Sequence, residues 1–146
     1  MATISRCASS PAATRLPGCA ETVASILIAE DEETLRDLVA RAFAEQGDRV
    51  IATADGTEAL EALQTSDGAF DLLLADIKMP RMDGIALALA VARDFPKIPI
   101  LLMTGYADQR ERAAGLESLI CGVVAKPFNV AEIRSAVASA IAQGRR

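Results

Sequence analysis

Histidine is absent from all 146 residues. No Ser-His-Asp or Cys-His catalytic set can be assembled, and no metal site can use an imidazole ligand. Tryptophan is also missing, and aromatic residues make up only 3% of a chain that is 51% apolar. The core must therefore be built from Leu, Ile, Val and Ala, which suits layered helices and strands better than an aromatic-rich sandwich. No apolar run reaches the roughly 18–20 residues that a bilayer span requires, so no membrane association is expected. The net charge of −5 argues against a nucleic-acid surface. Cysteine is scarce. Cys7, Cys19 and Cys121 form no C-x-x-C pair and cannot all be paired within one chain, so a reduced, cytoplasmic setting is expected.

What remains is enough for one domain with a buried core. Residues 1–22 are rich in Ala, Ser and Pro, show no periodicity and include a Pro-Gly step. They read as a disordered extension, or as sequence upstream of a true start near Val23. Their basic, acid-poor character faintly suggests a transit peptide, without a Leu-rich segment or a clear cleavage site. Arg6, Arg15 and Glu21 together contribute +1, so residues 23–146, taken as the domain, carry −6.

From Val23 onward the pattern alternates strand and helix five times. Ser25–Ala29 is a short apolar run, followed by an acidic turn and a stripe of Leu35, Leu38, Val39, Ala42 and Phe43, the spacing of one buried helix face. Gly47 closes that helix. Arg49–Thr53 is the second strand, and Asp55 with Glu58 caps a helix that buries Ala59, Leu60 and Leu63. Leu72–Ala75 runs directly into Asp76. A loop with Pro80 leads to a helix over Gly84–Arg93, then to a strand over Ile98–Met103. A weaker helical pattern lies within Gln109–Leu116, and Gly122–Ala125 is the fifth strand. Asn129 and Glu132 cap a last helix with the stripe Val130, Ile133, Val137 and Ile141. Strands such as LLLA and ILLM are apolar on both faces, which implies a parallel sheet covered on both sides. Five β-α units with right-handed crossovers give an α/β, doubly wound, five-stranded parallel sheet, whose ligands sit beyond the carboxyl ends of the strands.

Those ends carry Glu30 and Asp31 after strand one, Asp76 after strand three, Thr104 after strand four and Lys126 after strand five. Taken singly, each is ordinary: acids suit helix N-termini, and an Asp after a strand is usually a cap or a turn residue. Together they are not. Three converging carboxylates repel one another by about 4 kcal/mol per pair at ~4 Å and an effective dielectric near 20. A raised pKa or a cation relieves this, and an oxygen-only ligand set selects a hard ion, Mg²⁺ above all. Lys126 adds an ammonium and Thr104 a hydroxyl, which with Mg²⁺ can neutralise the oxygens of a transferring phosphoryl group. A strand-end Asp can then act as the nucleophile and become an aspartyl phosphate.

In this order the residues resemble the receiver domain of two-component response regulators, over roughly residues 24–142. The motifs are ILIAEDEE, LLLADIKMPRMDG, ILLMTG and VVAKPF. The resemblance implies a (βα)5 flavodoxin-like fold and a role as a signalling module, not an enzyme. It implies Asp76 as phosphoacceptor, Asp31, Asp76 and the Lys78 backbone carbonyl as Mg²⁺ ligands, and Glu30 as a ligand through water. Thr104 and Lys126 are implied as the phosphoryl-binding switch and the ion-pairing lysine, with Lys126-Pro127 in cis and Met79-Pro80 and Gly84 shaping the loop that presents Lys78. The family commonly has Tyr or Phe where Val123 stands, so the usual aromatic rotation cannot operate. Tyr106, the only tyrosine, is the candidate substitute, either shielding the acyl phosphate with Lys78 or facing a partner. The implied partners are a histidine kinase or histidine phosphotransferase and an effector protein. Because the sequence ends soon after Ala142, a stand-alone receiver is expected. The stretch PILLMTGYADQRERA…GVVAKPF further resembles the CpdR type of alphaproteobacteria, which implies ClpX-dependent proteolysis as the output. A haloacid-dehalogenase-like phosphatase would need Asp where Lys78 stands. An intermediate phosphorelay receiver, and more remotely an unphosphorylated pseudo-receiver, stay open.

Overall fold

The structure is a computed structural model, and it describes residues 23–105, 114–116 and 118–144. Strands β1 (Ser25–Ala29), β2 (Arg49–Thr53), β3 (Leu72–Asp76), β4 (Ile100–Thr104) and β5 (Gly122–Ala125) form one sheet in the order β2-β1-β3-β4-β5. Every pairing is parallel. Helices α1 (Glu33–Glu45), α2 (Gly56–Ser66), α3 (Gly84–Asp94) and α4 (Val130–Gly144) cover it, and a short 3₁₀ turn spans Ala114–Leu116. From β1 the chain first moves outward to β2 and then returns past β1 to β3. The crevice between the ends of β1 and β3 is therefore the switch point of the sheet, the usual ligand position in this architecture.

Alternation along each strand divides the core in two. Leu27, Ala29, Leu73, Ala75 and Leu102 pack on one face with Ala59, Leu63, Leu87, Ala88 and Val91 from α2 and α3. Ile26, Ile28, Leu72, Leu74 and Met103 pack on the other with Val39 and Phe43 of α1 and Ile133, Val137 and Ala140 of α4. A strand apolar at every position is thus used fully, with successive side chains feeding opposite layers. Truncating a fully buried member such as Leu63 to Ala would cost about 2–5 kcal/mol.

The helix ends follow the capping signals. Asp55 Oδ1 accepts from the Glu58 N–H at 2.9 Å, although Glu58 reaches back to the Ala54 N–H and not to that of Asp55. Asn129 and Glu132 form the reciprocal pair, at 2.7 and 2.9 Å. Gly47 follows α1 with φ 98°, a conformation in which glycine carries no Cβ penalty.

Two expectations need correction. Leu38 is 46% exposed; it lies at the edge of the α1 stripe, along the cleft described below, while Val39, Ala42 and Phe43 form the buried face. Strand β4 pairs from Ile100, not Ile98, and runs through Thr104, since Pro99 has no N–H to contribute to a ladder. Of the helix sought within 109–116, only the 3₁₀ turn falls among the described residues. Residues 1–22, read as an extension, lie outside them.

Candidate functional site

The carboxyl ends of β1, β3 and β5 bring four charged side chains together. Carboxylate oxygens of Glu30, Asp31 and Asp76 all lie within 4.8 Å of one another. Lys126, delivered by β5, places Nζ 2.9 Å from Glu30 Oε1 and 3.0 Å from Asp76 Oδ2. Glu30 and Asp76 are buried and Asp31 is exposed, so the cluster opens to solvent on the Asp31 side. A cleft of about 780 Å³ begins there, lined by the acids, Lys78, Gly105 and Lys126. It continues over Leu35, Leu38, Pro127 and Phe128.

Glu30 is the most constrained of the acids. Its second oxygen accepts from the Glu32 N–H at 3.0 Å, and its own carbonyl accepts from Arg36 Nη1 at 3.0 Å. Burial pushes its pKa up to about 7, with the Asp76 charge adding to the rise while the Glu32 N–H and Lys126 restrain it. For Lys126, burial works against the ammonium, but Glu30 and Asp76 outweigh it and hold its pKa above the ordinary lysine value. Lys126 offsets one of three carboxylates, and a formal charge of −2 is left over at full ionisation. An all-oxygen set of that charge, open on one side, fits a divalent hard cation that keeps some of its own water.

The loop after Asp76 is fixed by its backbone. The Ile77 N–H donates to the Met103 carbonyl at 3.0 Å, and the Gly84 N–H to the Ile77 carbonyl at 2.8 Å. A Cβ on Gly84 would sit 2.9 Å from the Asp76 carbonyl carbon and from Ile77 Cα, so only glycine lets α3 begin against the end of β3. Arg81, in this loop, has φ 63°, a left-handed conformation that costs a non-glycine residue about 1–2 kcal/mol. Its guanidinium pairs with Asp55 Oδ2, through Nε at 2.8 Å and through Nη2. Hydrogen bonding to the Glu58 N–H, and then to Arg81, holds the Asp55 carboxyl below the usual range despite its burial.

The expected residues thus divide. Glu30, Asp31, Asp76 and Lys126 meet in one cluster, and Lys78 lines the same cleft. Thr104 is buried at the end of β4, and its carbonyl accepts from the Lys126 N–H at 2.7 Å. Lys126-Pro127 is cis. Val123 is half-buried in β5, opposite Leu102, and packs on the core layer of α2 and α3. Tyr106 lies outside the described residues. Sequence reasoning missed the Asp55–Arg81 pair and the apolar extension of the cleft along α1. Composition carried no signal for either, although a lone Arg beside a Met-Pro turn could have prompted a search for its acid.

The sequence profile of the response regulator receiver domain matches residues 26–138. The chain belongs to the response regulator receiver family. Among curated relatives it is 33% identical to the transcriptional regulatory protein TcrA of Mycobacterium tuberculosis over 108 residues, 74% of this chain and 42% of that protein. It is 31% identical to the sensor kinase CckA of Brucella abortus over 114 residues, 78% of this chain and 12% of that one. The chain spans less than half the length of these relatives. Its fold is also that of a receiver domain protein from Clostridium thermocellum, with TM-score 0.77, 21% identity, and 84% and 98% of the two chains covered. Receiver domains work in two-component signalling and bind Mg²⁺ at an acidic pocket, the place occupied here by Glu30, Asp31 and Asp76. Among the described residues no helix is long and apolar enough to cross a membrane.

Proposed function

We propose that Asp76 accepts a phosphoryl group from a phosphohistidine on a histidine kinase or histidine phosphotransferase, and that the modified protein signals by a changed affinity for an effector. The observation that carries this reading is the bridging of Glu30 and Asp76 by Lys126 Nζ, at 2.9 and 3.0 Å, at the switch point of the sheet. Asp31, Asp76 and the Lys78 carbonyl would hold Mg²⁺, with Glu30 acting through water. When bound, the ion supplies positive charge toward the phosphoryl oxygens and offsets the acid cluster.

The rest is done by the chain itself. An Asp76 carboxylate oxygen attacks phosphorus while the bond to the donor imidazole nitrogen breaks, and the imidazole leaves on the donor. Lys126 stands beside the oxygen that becomes part of the acyl phosphate and can follow its charge. Thr104, at the end of the adjacent strand, offers a hydroxyl donor toward the new group. The product adds about −1.5 to −2 of charge in a largely buried site. That charge can bias the loops beyond β4 and β5 between two arrangements. With Val123 in place of an aromatic, the reading assigns the coupled movement to Thr104 and Tyr106.

The finer reading is CpdR-like: a cytoplasmic protein whose effector is ClpX or a component of that protease. It rests on the resemblance of the ILLMTGY and VVAKPF stretches. A second reading, as an intermediate phosphorelay receiver, draws on the match to a segment of the sensor kinase CckA. Intact mass spectrometry after incubation with acetyl phosphate and Mg²⁺ tests the chemistry. A gain of one phosphoryl group that requires both Mg²⁺ and Asp76 supports it, and an unmodified, folded protein refutes it. Rapid loss of the group to a histidine phosphotransferase would favour the relay reading over the effector reading.

A further inference from the structure

The loop between Asp76 and α3 is tied to a helix that contributes nothing to the cleft. Arg81 lies in the left-handed region at φ 63°, and no glycine or asparagine is present to make that conformation easy. Its side chain is 65% exposed, yet the guanidinium reaches an Asp55 side chain that is 1% exposed. Asp55 divides its oxygens: Oδ1 caps α2 through the Glu58 N–H, and Oδ2 takes the Arg81 fork. The backbone repeats the connection. The Gly56 N–H donates to the Met82 carbonyl at 3.1 Å, and a Cβ on Gly56 would lie 2.9 Å from Met82 Cβ, so the loop sits flush on the start of α2. Lys78 is three residues before Arg81 on the same loop, and it lines the cleft.

From this geometry we propose that Asp55 and Arg81 are a positioning pair that sets the Lys78–Asp83 loop and thereby the Mg²⁺ affinity of a site that neither side chain lines. The inference rests on the reading of the Lys78 carbonyl and Asp76 as ligands. It differs from a plain stabilising ion pair because the exposed partner holds a costly backbone conformation within five residues of Asp76.

Mg²⁺ titration of the full chain by calorimetry, with urea melts alongside, tests it. Arg81→Gln removes the fork and retains the backbone burden. Arg81→Gly removes both. Asp55→Asn keeps an equally good helix cap through its remaining oxygen and loses the charged Oδ2 acceptor that takes the fork. Each variant is expected to weaken Mg²⁺ binding about tenfold, the lower end of what outer-shell partners of metal ligands contribute. Asp55→Asn combined with Arg81→Gln should weaken it no further than either alone. Arg81→Gly should melt at higher urea than Arg81→Gln and still bind Mg²⁺ as weakly, a split that a merely structural pair would not produce. Wild-type affinity in Arg81→Gln, or losses that multiply in the double variant, would overturn the proposal while leaving the metal site intact. A wild-type chain that takes up no Mg²⁺ would remove the metal reading itself, and this proposal with it.

Discussion

Gly84→Ala places a methyl group where the structure has main-chain atoms. The new Cβ would lie 2.9 Å from the Asp76 carbonyl carbon and from Ile77 Cα, closer than real Cβ atoms come, and neither atom can swing aside. Gly84 is not in the left-handed region, so Ala itself is acceptable there and would favour the helix by about 0.5–1 kcal/mol. Against this stand overpacking, at about 1–3 kcal/mol, and the Gly84–Ile77 hydrogen bond of 2.8 Å, worth about 1 kcal/mol. The net expectation is a loss of about 1–3 kcal/mol, or roughly 4–12 °C in Tm for a domain of this size. Gly122→Ala is the control, because its Cβ would meet only Leu101 Cδ1 at an ordinary 3.7 Å. Urea melts followed by far-UV circular dichroism compare the two. If Gly84→Ala were as stable as Gly122→Ala, the claim that α3 is pressed against the end of β3 would be wrong. Because the strain falls on the Asp76 backbone, Mg²⁺-dependent phosphorylation should drop with it.

Glu30 sets a pH dependence. Its pKa is raised to about 7 in the folded chain by burial, against ~4.3 when unfolded. Its contribution to stability is therefore full below about pH 4 and lost as pH rises through 7. Glu30→Gln should remove a destabilisation of order 3–4 kcal/mol at pH 8 in metal-free buffer, with the gain vanishing by pH 4; an equal gain at both pH values would contradict the assignment. Asp55 works in the opposite sense, since its pKa is lowered: the stability it supplies is present above the ordinary Asp range and lost as pH falls through the depressed value. Acid denaturation of Asp55→Asn should be correspondingly flatter. Lys126→Met removes the cation between Glu30 and Asp76, so Mg²⁺ should bind more tightly while phosphorylation at saturating Mg²⁺ slows about a hundredfold. Parallel calorimetry and transfer kinetics check that split, and weaker Mg²⁺ binding would oppose it.

The sheet was legible because two apolar faces leave few alternatives for four- or five-residue runs such as LLLA. Its edge of charged residues was legible for a related reason: once a parallel sheet is inferred, every strand end lands on one side. What escaped depends on tertiary placement. The fork from Arg81 to Asp55 spans 26 residues, and its geometry depends on a positive φ that Arg does not advertise. The Lys126–Glu30 hydrogen bond spans 96 residues. Sequence put both side chains at the sheet edge without revealing that Lys126 would divide itself between two acids. Leu38 carries the hydropathy of a core residue and lies at the rim of the stripe, where periodicity alone cannot separate a buried flank from a cleft wall.

The central claim is that Asp76, and no other carboxylate of the cluster, is the nucleophile. Borohydride reduces an aspartyl phosphate to homoserine, so peptide mapping after treatment with a phosphohistidine donor, Mg²⁺ and borohydride reads the modified position directly. Homoserine at position 76, absent when Mg²⁺ is withheld, is the predicted result. Homoserine at position 31, or an unchanged Asp76 in a protein that has demonstrably bound Mg²⁺, would contradict it.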